Sequence, residues 1–212
     1  MPPSNTTAPR YTVPGLDTAQ GEKVIELLRP RLHALNDLAL TLKHIHWNVV
    51  GPHFIAVHEM LDPQAAAVRD MVDGVAERIA TLGGEPRGTA GALVAERTWD
   101  DYGLGRADAM THLGSLDLVY SGVIEDHRRA ASEAAEIDPV TEDLLVEHLH
   151  ALEQFQWFVR AHRESGSGDL SGTDAGHKGA DAGSPPSARR TAKKATSTKR
   201  APRKTATAKR TR

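Results

Sequence analysis

The residues with the most chemical potential lie in one stretch, His44-Ile-His-Trp-Asn-Val-Val-Gly-Pro-His-Phe-Ile-Ala-Val-His-Glu-Met-Leu-Asp62, where imidazoles and carboxylates crowd a helix end and the start of the next helix. His58 and Asp62 stand four residues apart, and Asp73 and Glu77 repeat that spacing further on. Each pair can present two donors from one helix face to a common ion. With His58 set to zero and roughly 100° per residue, Asp62 falls near ~40°, Asp73 near ~60° and Glu77 near ~100°, while the apolar positions centre near about −80°. All four therefore share a stripe flanking the core. Asp62 and Asp73 are roughly 16 Å apart along the axis at about 1.5 Å per residue, too far for both pairs to hold one metal within a single chain. Two copies of the helix packed antiparallel about a two-fold axis would bring His58 and Asp62 of one chain to Asp73 and Glu77 of the other, and Ala66, Ala76 and Ala80 on the stripe permit the approach. His46, across the tight turn, could complete the first half. Taken singly, each residue has a plainer explanation: Asp73 could pair with Arg69, and the other acids could solvate an exposed face. Glu147-His-Leu-His150 has the Glu-x-x-His spacing of di-iron proteins, but that architecture needs a second copy on another helix, so it is expected at the surface.

The elements that must position these residues are helical. Val24, Leu27, Leu28, Leu32, Leu35, Leu42, Ile45 and Val49 keep helical spacing up to Gly51-Pro52, with a kink or break expected near Pro30. A second helix is predicted from Phe54 to Leu82, ending at Gly83-Gly84 despite Pro63 and Gly74. Residues 83–103 read as a long crossover with one short helix around Ala92–Arg97. A third helix is expected over 105–136, and a fourth from Asp138-Pro139, an N-cap acid followed by proline, to about Ser165. Two short links and one long connection describe an all-α, ferritin-like four-helix bundle with a short extra helix in the crossover.

Composition bounds the rest. The chain has 212 residues and no Cys, which excludes a disulfide framework, a thiolate zinc site and a cysteine nucleophile, and fits a reducing cytoplasm. No uncharged run is long enough to span a bilayer, and the first residues lack the order of a signal peptide. The net charge of −2 conceals a separation: residues 1–165 hold 14 Lys and Arg against 25 Asp and Glu, whereas residues 166–212 hold 12 against 3. Three regions follow: a flexible segment 1–15, a bundle 16–165, and a disordered tail 166–212 that has almost no large apolar residue to bury. An acidic body is repelled by DNA, so the tail is the candidate DNA contact, through Lys178, Arg189, Arg190, Lys193, Lys194, Lys199, Arg200, Arg203, Lys204, Lys209, Arg210 and Arg212. Without aromatics or a base-reading fold it should bind double-stranded DNA without sequence preference.

His46-Trp47-Asn48, Gly51-Pro52, Phe54, His58-Glu-Met-Leu-Asp62, and Asp73 with Ala76-Glu77-Arg78 resemble the bacterial Dps family, the DNA-protecting miniferritins, of the actinobacterial type with a basic C-terminal tail. The resemblance spans roughly residues 12–165. It implies a hollow dodecamer with iron sites between two-fold-related subunits, ligated by His46, His58 and Asp62 of one chain and Asp73 and Glu77 of its partner. It also implies oxidation of Fe(II), preferably by hydrogen peroxide, storage of ferric mineral, and a cytoplasmic, nucleoid-associated protein without haem or organic cofactor. Trp47 resembles the family's tryptophan beside the iron centre, a candidate electron donor, although a packed aromatic at a helix end is an equal reading. Glu125, Asp126, Glu142 and Asp143 could line an acidic iron entrance at a three-fold axis, or simply solvate helix ends. Two rival readings are a nucleoid-compacting protein with little ferroxidase activity and a larger bacterioferritin-like store. The five ligands in place argue against the first, and the missing second Glu-x-x-His argues against the other.

Overall fold

The computed structural model describes residues 9–165 and 168–170. By internal contacts the chain divides into Met1–Gly176 and His177–Arg212, and the second unit, with every cation proposed to contact DNA, lies outside the described residues.

The first unit is built from α1 (Thr18–Asn48), β1 (Val49–Val50), α2 (Phe54–Thr81), α3 (Ala90–Glu96), β2 (Ala107–Asp108), α4 (Ala109–Ala135) and α5 (Pro139–Arg163). The long helices α1, α2, α4 and α5 form the four-helix bundle expected, and α3 is the short helix of the crossover. α1 packs most closely on α2 and α4 on α5. Leu28, Leu32, Leu35 and Leu42 of α1, Leu61, Val68 and Val75 of α2, Leu113, Leu116 and Tyr120 of α4, and Leu145 and Leu152 of α5 supply the shared apolar centre. Within each helix they recur at three-, four- or seven-residue steps, so one stripe per helix leaves water. Among the described residues no helix is long and apolar enough to cross a membrane.

Two helix starts and the passage through Pro30 differ from the sequence expectation, each for a local reason. α1 starts at Thr18, before the first periodic apolar residue, because Asp17 and Gln20 form a reciprocal capping box at 2.8 and 2.9 Å. It also runs unbroken through Pro30. That proline forfeits one backbone bond, at a cost of about 3 kcal/mol, but Ile25, Leu28, Leu32 and Leu35 on either side are buried and offset the loss. α4 begins at Ala109 rather than residue 105, capped by the Asp108 carboxylate on Thr111 N at 3.1 Å. The residues before it pair in parallel with the turn after α1, Val49 with Ala107 and Val50 with Asp108. Asp138 precedes α5 as expected but caps nothing. Its carboxylate is buried against the Arg78 guanidinium at 2.5 Å and the Thr141 hydroxyl at 2.5 Å, tying the end of α2 to the α4–α5 turn. Past the end of α2, Gly83 has a φ of +87° that suits glycine, and a Cβ there would run into the Tyr11 carbonyl.

The candidate metal centre

The end of α1 and the start of α2 are joined by a tight turn around Gly51, at φ +98°, which folds His58 back beside His46. His46 Nδ1 donates to the His58 carbonyl at 2.9 Å, and His58 Nδ1 donates to the His46 carbonyl at 2.9 Å. The two rings stack with centres 3.6 Å apart and planes at 19°. A carbonyl can only accept, so both Nδ1 atoms carry the proton and each Nε2 keeps a free lone pair. This is the arrangement that prepares an imidazole for a metal. Phe54 packs against His58 with ring centres 4.9 Å apart, closing one side. β1 pairs with β2 directly beyond this turn, so the start of α4 braces it.

Asp62 is one turn beyond His58 and 54% exposed, with Oδ1 3.4 Å from His46 Nδ1. The Lys43 ammonium donates to the same Oδ1 at 2.6 Å. That bond is the main reason the Asp62 carboxyl sits below its ordinary range, and the Lys43 charge adds to the effect. Lys43 also lies 5.6 Å from the centre of the Trp47 ring. Lys43 was missed in the sequence, although it stands four residues before Trp47 and hence one turn away on the same face. Trp47 is 70% exposed in the single chain, beside the cluster.

Asp73 and Glu77 are exposed on α2, and neither forms an ion pair among the described residues. The Asp73–Arg69 pairing weighed from the sequence is therefore not formed. Among the described residues, no complete metal site is formed within one chain. His46 stacks on His58 and lies 3.4 Å from Asp62, whereas Asp73 and Glu77 stand further along α2.

The four acids considered for an iron entrance do not converge within the chain. Asp126 is bound by Arg31 at 3.0 Å and by Arg129, while Glu142 and Asp143 lie in the first turns of α5. Glu125 and Asp126 line a cavity of about 790 Å³ between α1, the crossover and α4, which contains none of the five candidate ligands. Glu147 and His150 are exposed, as expected of a surface pair, but His148 between them is buried, a feature the Glu-x-x-His reading overlooked.

Residues 25–167 match the model of the ferritin-like domain. The chain is 56% identical over 160 residues to the DNA protection during starvation protein of Mycolicibacterium smegmatis, covering 76% of this chain and 87% of that one. It is 54% identical over 160 residues to the fine tangled pili major subunit of Haemophilus ducreyi, covering 76% and 85%. Among solved structures it resembles DpsA14 from Streptomyces coelicolor, with 66% identity, a TM-score of 0.77, and coverage of 78% of this chain and 99% of that one. With the ferritin-like domain matched over most of its length and a Dps relative identical at more than half of the aligned positions, the chain belongs to the Dps family of ferritin-like proteins.

Proposed function

We propose that this protein is a ferroxidase and iron store that also binds DNA. Fe(II), the substrate, binds between two subunits to His46, His58 and Asp62 of one and Asp73 and Glu77 of the other. The observation that carries this reading is the reciprocal pair of Nδ1–carbonyl bonds, which orients two imidazoles with free Nε2 atoms beside an ionised, exposed carboxylate. A site of two imidazoles and three carboxylates holds Fe(II) without filling its coordination sphere and favours the harder Fe(III) product. Hydrogen peroxide is the preferred oxidant. Two Fe(II) ions each give one electron, the O–O bond breaks, two protons are taken up and two waters form. Ferric iron then hydrolyses to mineral inside a twelve-subunit shell. Trp47, exposed beside the cluster, donates an electron to a stray oxidant in this reading.

The test is anaerobic loading of the full chain with Fe(II), followed by stoichiometric peroxide and reading of ferric absorbance and particle mass. The wild type should oxidise rapidly in a particle of about twelve subunits. His58→Ala combined with Asp62→Ala should slow oxidation at least ~100-fold, equivalent to about 2.7 kcal/mol, while leaving assembly intact. Unchanged oxidation by the double variant would remove the site assignment, and a silent wild-type shell would favour the nucleoid-compacting reading.

A further inference from the structure

A phenol and an imidazole lie behind the metal cluster, outside its ligand set. Tyr102 of the crossover donates its hydroxyl proton to His112 Nδ1 of α4 at 2.9 Å, and the two rings lie nearly parallel, with centres 6.1 Å apart and planes at 11°. The main-chain carbonyl of His112 is further from the hydroxyl, at 3.5 Å, so the ring nitrogen is the principal acceptor. The Ser115 hydroxyl donates to the phenol oxygen. His112 is fully buried, and its Nε2 has no hydrogen-bond partner. Burial holds the ring neutral, while the carbonyls of Asn48 and Gly105 and the Asp108 carboxylate favour a second proton on it. A neutral ring that accepts at Nδ1 carries its proton on Nε2. Burial also pushes the Tyr102 phenol up, so it keeps its proton until an electron leaves.

An oxidised phenol is a strong acid. Its proton moves only across a hydrogen bond, whereas an electron crosses longer stretches of protein, so a buried tyrosine donates electrons readily only where a base stands at its hydroxyl. Of the three tyrosines, Tyr120 is buried but donates to the Gln64 amide oxygen at 2.8 Å, which is no base, and Tyr11 lies at the surface. Among the described residues, Tyr102 is the tyrosine with an imidazole at its hydroxyl. The pair is also tied to the helical turn that bears His46 and Trp47. His44 meets Tyr102 edge-on with ring centres 5.8 Å apart, and its Nε2 donates to the Leu104 carbonyl at 2.7 Å. His44 and His46, two residues apart, leave opposite sides of α1, so about 10–12 Å of helix separates this contact from the cluster.

We propose that Tyr102, with His112 as its proton acceptor, is an internal electron donor that reduces one-electron oxidants formed at the α1–α2 turn. The oxidant is the hydroxyl radical left when a single Fe(II) gives one electron to peroxide, so its source rests on the iron reading above. The hydroxyl radical takes one electron from Tyr102 and becomes hydroxide. The phenol proton passes from Oη to Nδ1, leaving a neutral phenoxyl radical and an imidazolium. A further Fe(II) returns the electron and becomes Fe(III), and the proton moves back to Oη.

The full chain, loaded anaerobically with Fe(II), should be mixed rapidly with peroxide, frozen and read by electron paramagnetic resonance, with ferric absorbance from the same mixture. A phenoxyl signal that narrows in protein containing ring-deuterated tyrosine is expected. Tyr102→Phe and His112→Asn should each lower it roughly tenfold or more without changing ferric absorbance, since asparagine keeps an acceptor but no base. Tyr120→Phe should retain it. Because a variant at buried His112 could fail to fold, pulsed resonance of the wild-type radical gives a second reading, a coupling to isotopically labelled histidine nitrogen. Ferric absorbance with no phenoxyl signal, a tryptophan radical alone, or a signal undiminished in folded Tyr102→Phe or His112→Asn protein would each overturn the proposal. Without ferric absorbance the iron reading fails instead. The same variants, photo-oxidised free of iron by ruthenium tris-bipyridine and persulfate, then decide on Tyr102 and His112 by the same signals.

Discussion

At the scale of single residues, the cluster at the α1–α2 turn is held ready by bonds that use the main chain. The types and spacing of His46, His58 and Asp62 were legible, because a four-residue step on one helix is a geometric statement. The mutual Nδ1–carbonyl bonds were not, since they depend on how tightly residues 49–53 reverse the chain, which no spacing encodes. Lys43 is the residue with the clearest consequence. Its ammonium occupies an Asp62 oxygen that a metal would need, so a cation arriving there must displace it. Exposed ion pairs contribute little, and Lys43→Met should therefore tighten anaerobic Fe(II) binding only modestly, by less than roughly fivefold. Isothermal titration calorimetry without oxidant checks this, and weaker binding would mean that Lys43 orients the carboxylate instead of competing for it.

At the scale of elements, the four long helices were legible because each buries one apolar stripe at a fixed period. The exceptions mark where packing overrode local preference. Pro30 predicts a kink or a break, yet α1 runs on as one helix with buried leucines on either side, and it gains a turn from a capping box outside the apolar pattern. The contact between α4 and α5 was opaque for a different reason: His127 and His148 are 21 positions apart, and nothing in the spacing says that they meet. Burial in that contact pushes His127 down to about 3 and His148 down to about 4, from an ordinary value of 6.5. The sign follows directly. Below pH ~6.5 the unfolded chain takes up protons that the folded chain refuses, so stability falls as pH drops toward the folded values. Each unit of pH inside that window costs up to about 1.4 kcal/mol per histidine. For metal-free protein, the melting temperature should drop between pH 7 and pH 5, and the drop should shrink in His148→Leu. Calorimetry at both pH values measures it, and parallel behaviour of the two proteins would show that the pair does not carry the acid sensitivity.

At the scale of the whole molecule, the decisive feature is the division of charge, a net −11 over residues 1–165 against +9 over residues 166–212. Composition alone makes that division visible, whereas assembly into the proposed shell would depend on surfaces whose fit between copies no single sequence displays. If the tail is the DNA contact, the acidic body opposes binding and the tail supplies all of the attraction, by neutralising phosphates and releasing their counterions. The last 26 residues hold 11 Lys or Arg and no acid, so about six phosphate contacts are attainable from one tail. That number gives a slope of about −5 in log affinity against log salt, a loss on the order of a thousandfold between 50 and 200 mM. Several tails on one particle would steepen the slope and join duplexes together, because the later contacts form at a high local concentration. Fluorescence anisotropy of a labelled random duplex, with the full chain and with a chain ending at Leu170, separates the contributions. The shortened protein should not bind at 150 mM salt and should keep its ferroxidase rate. If it binds as well as the full chain, with the same salt slope, the phosphate contacts belong to the body, and some local cluster of cations must overcome its net negative charge.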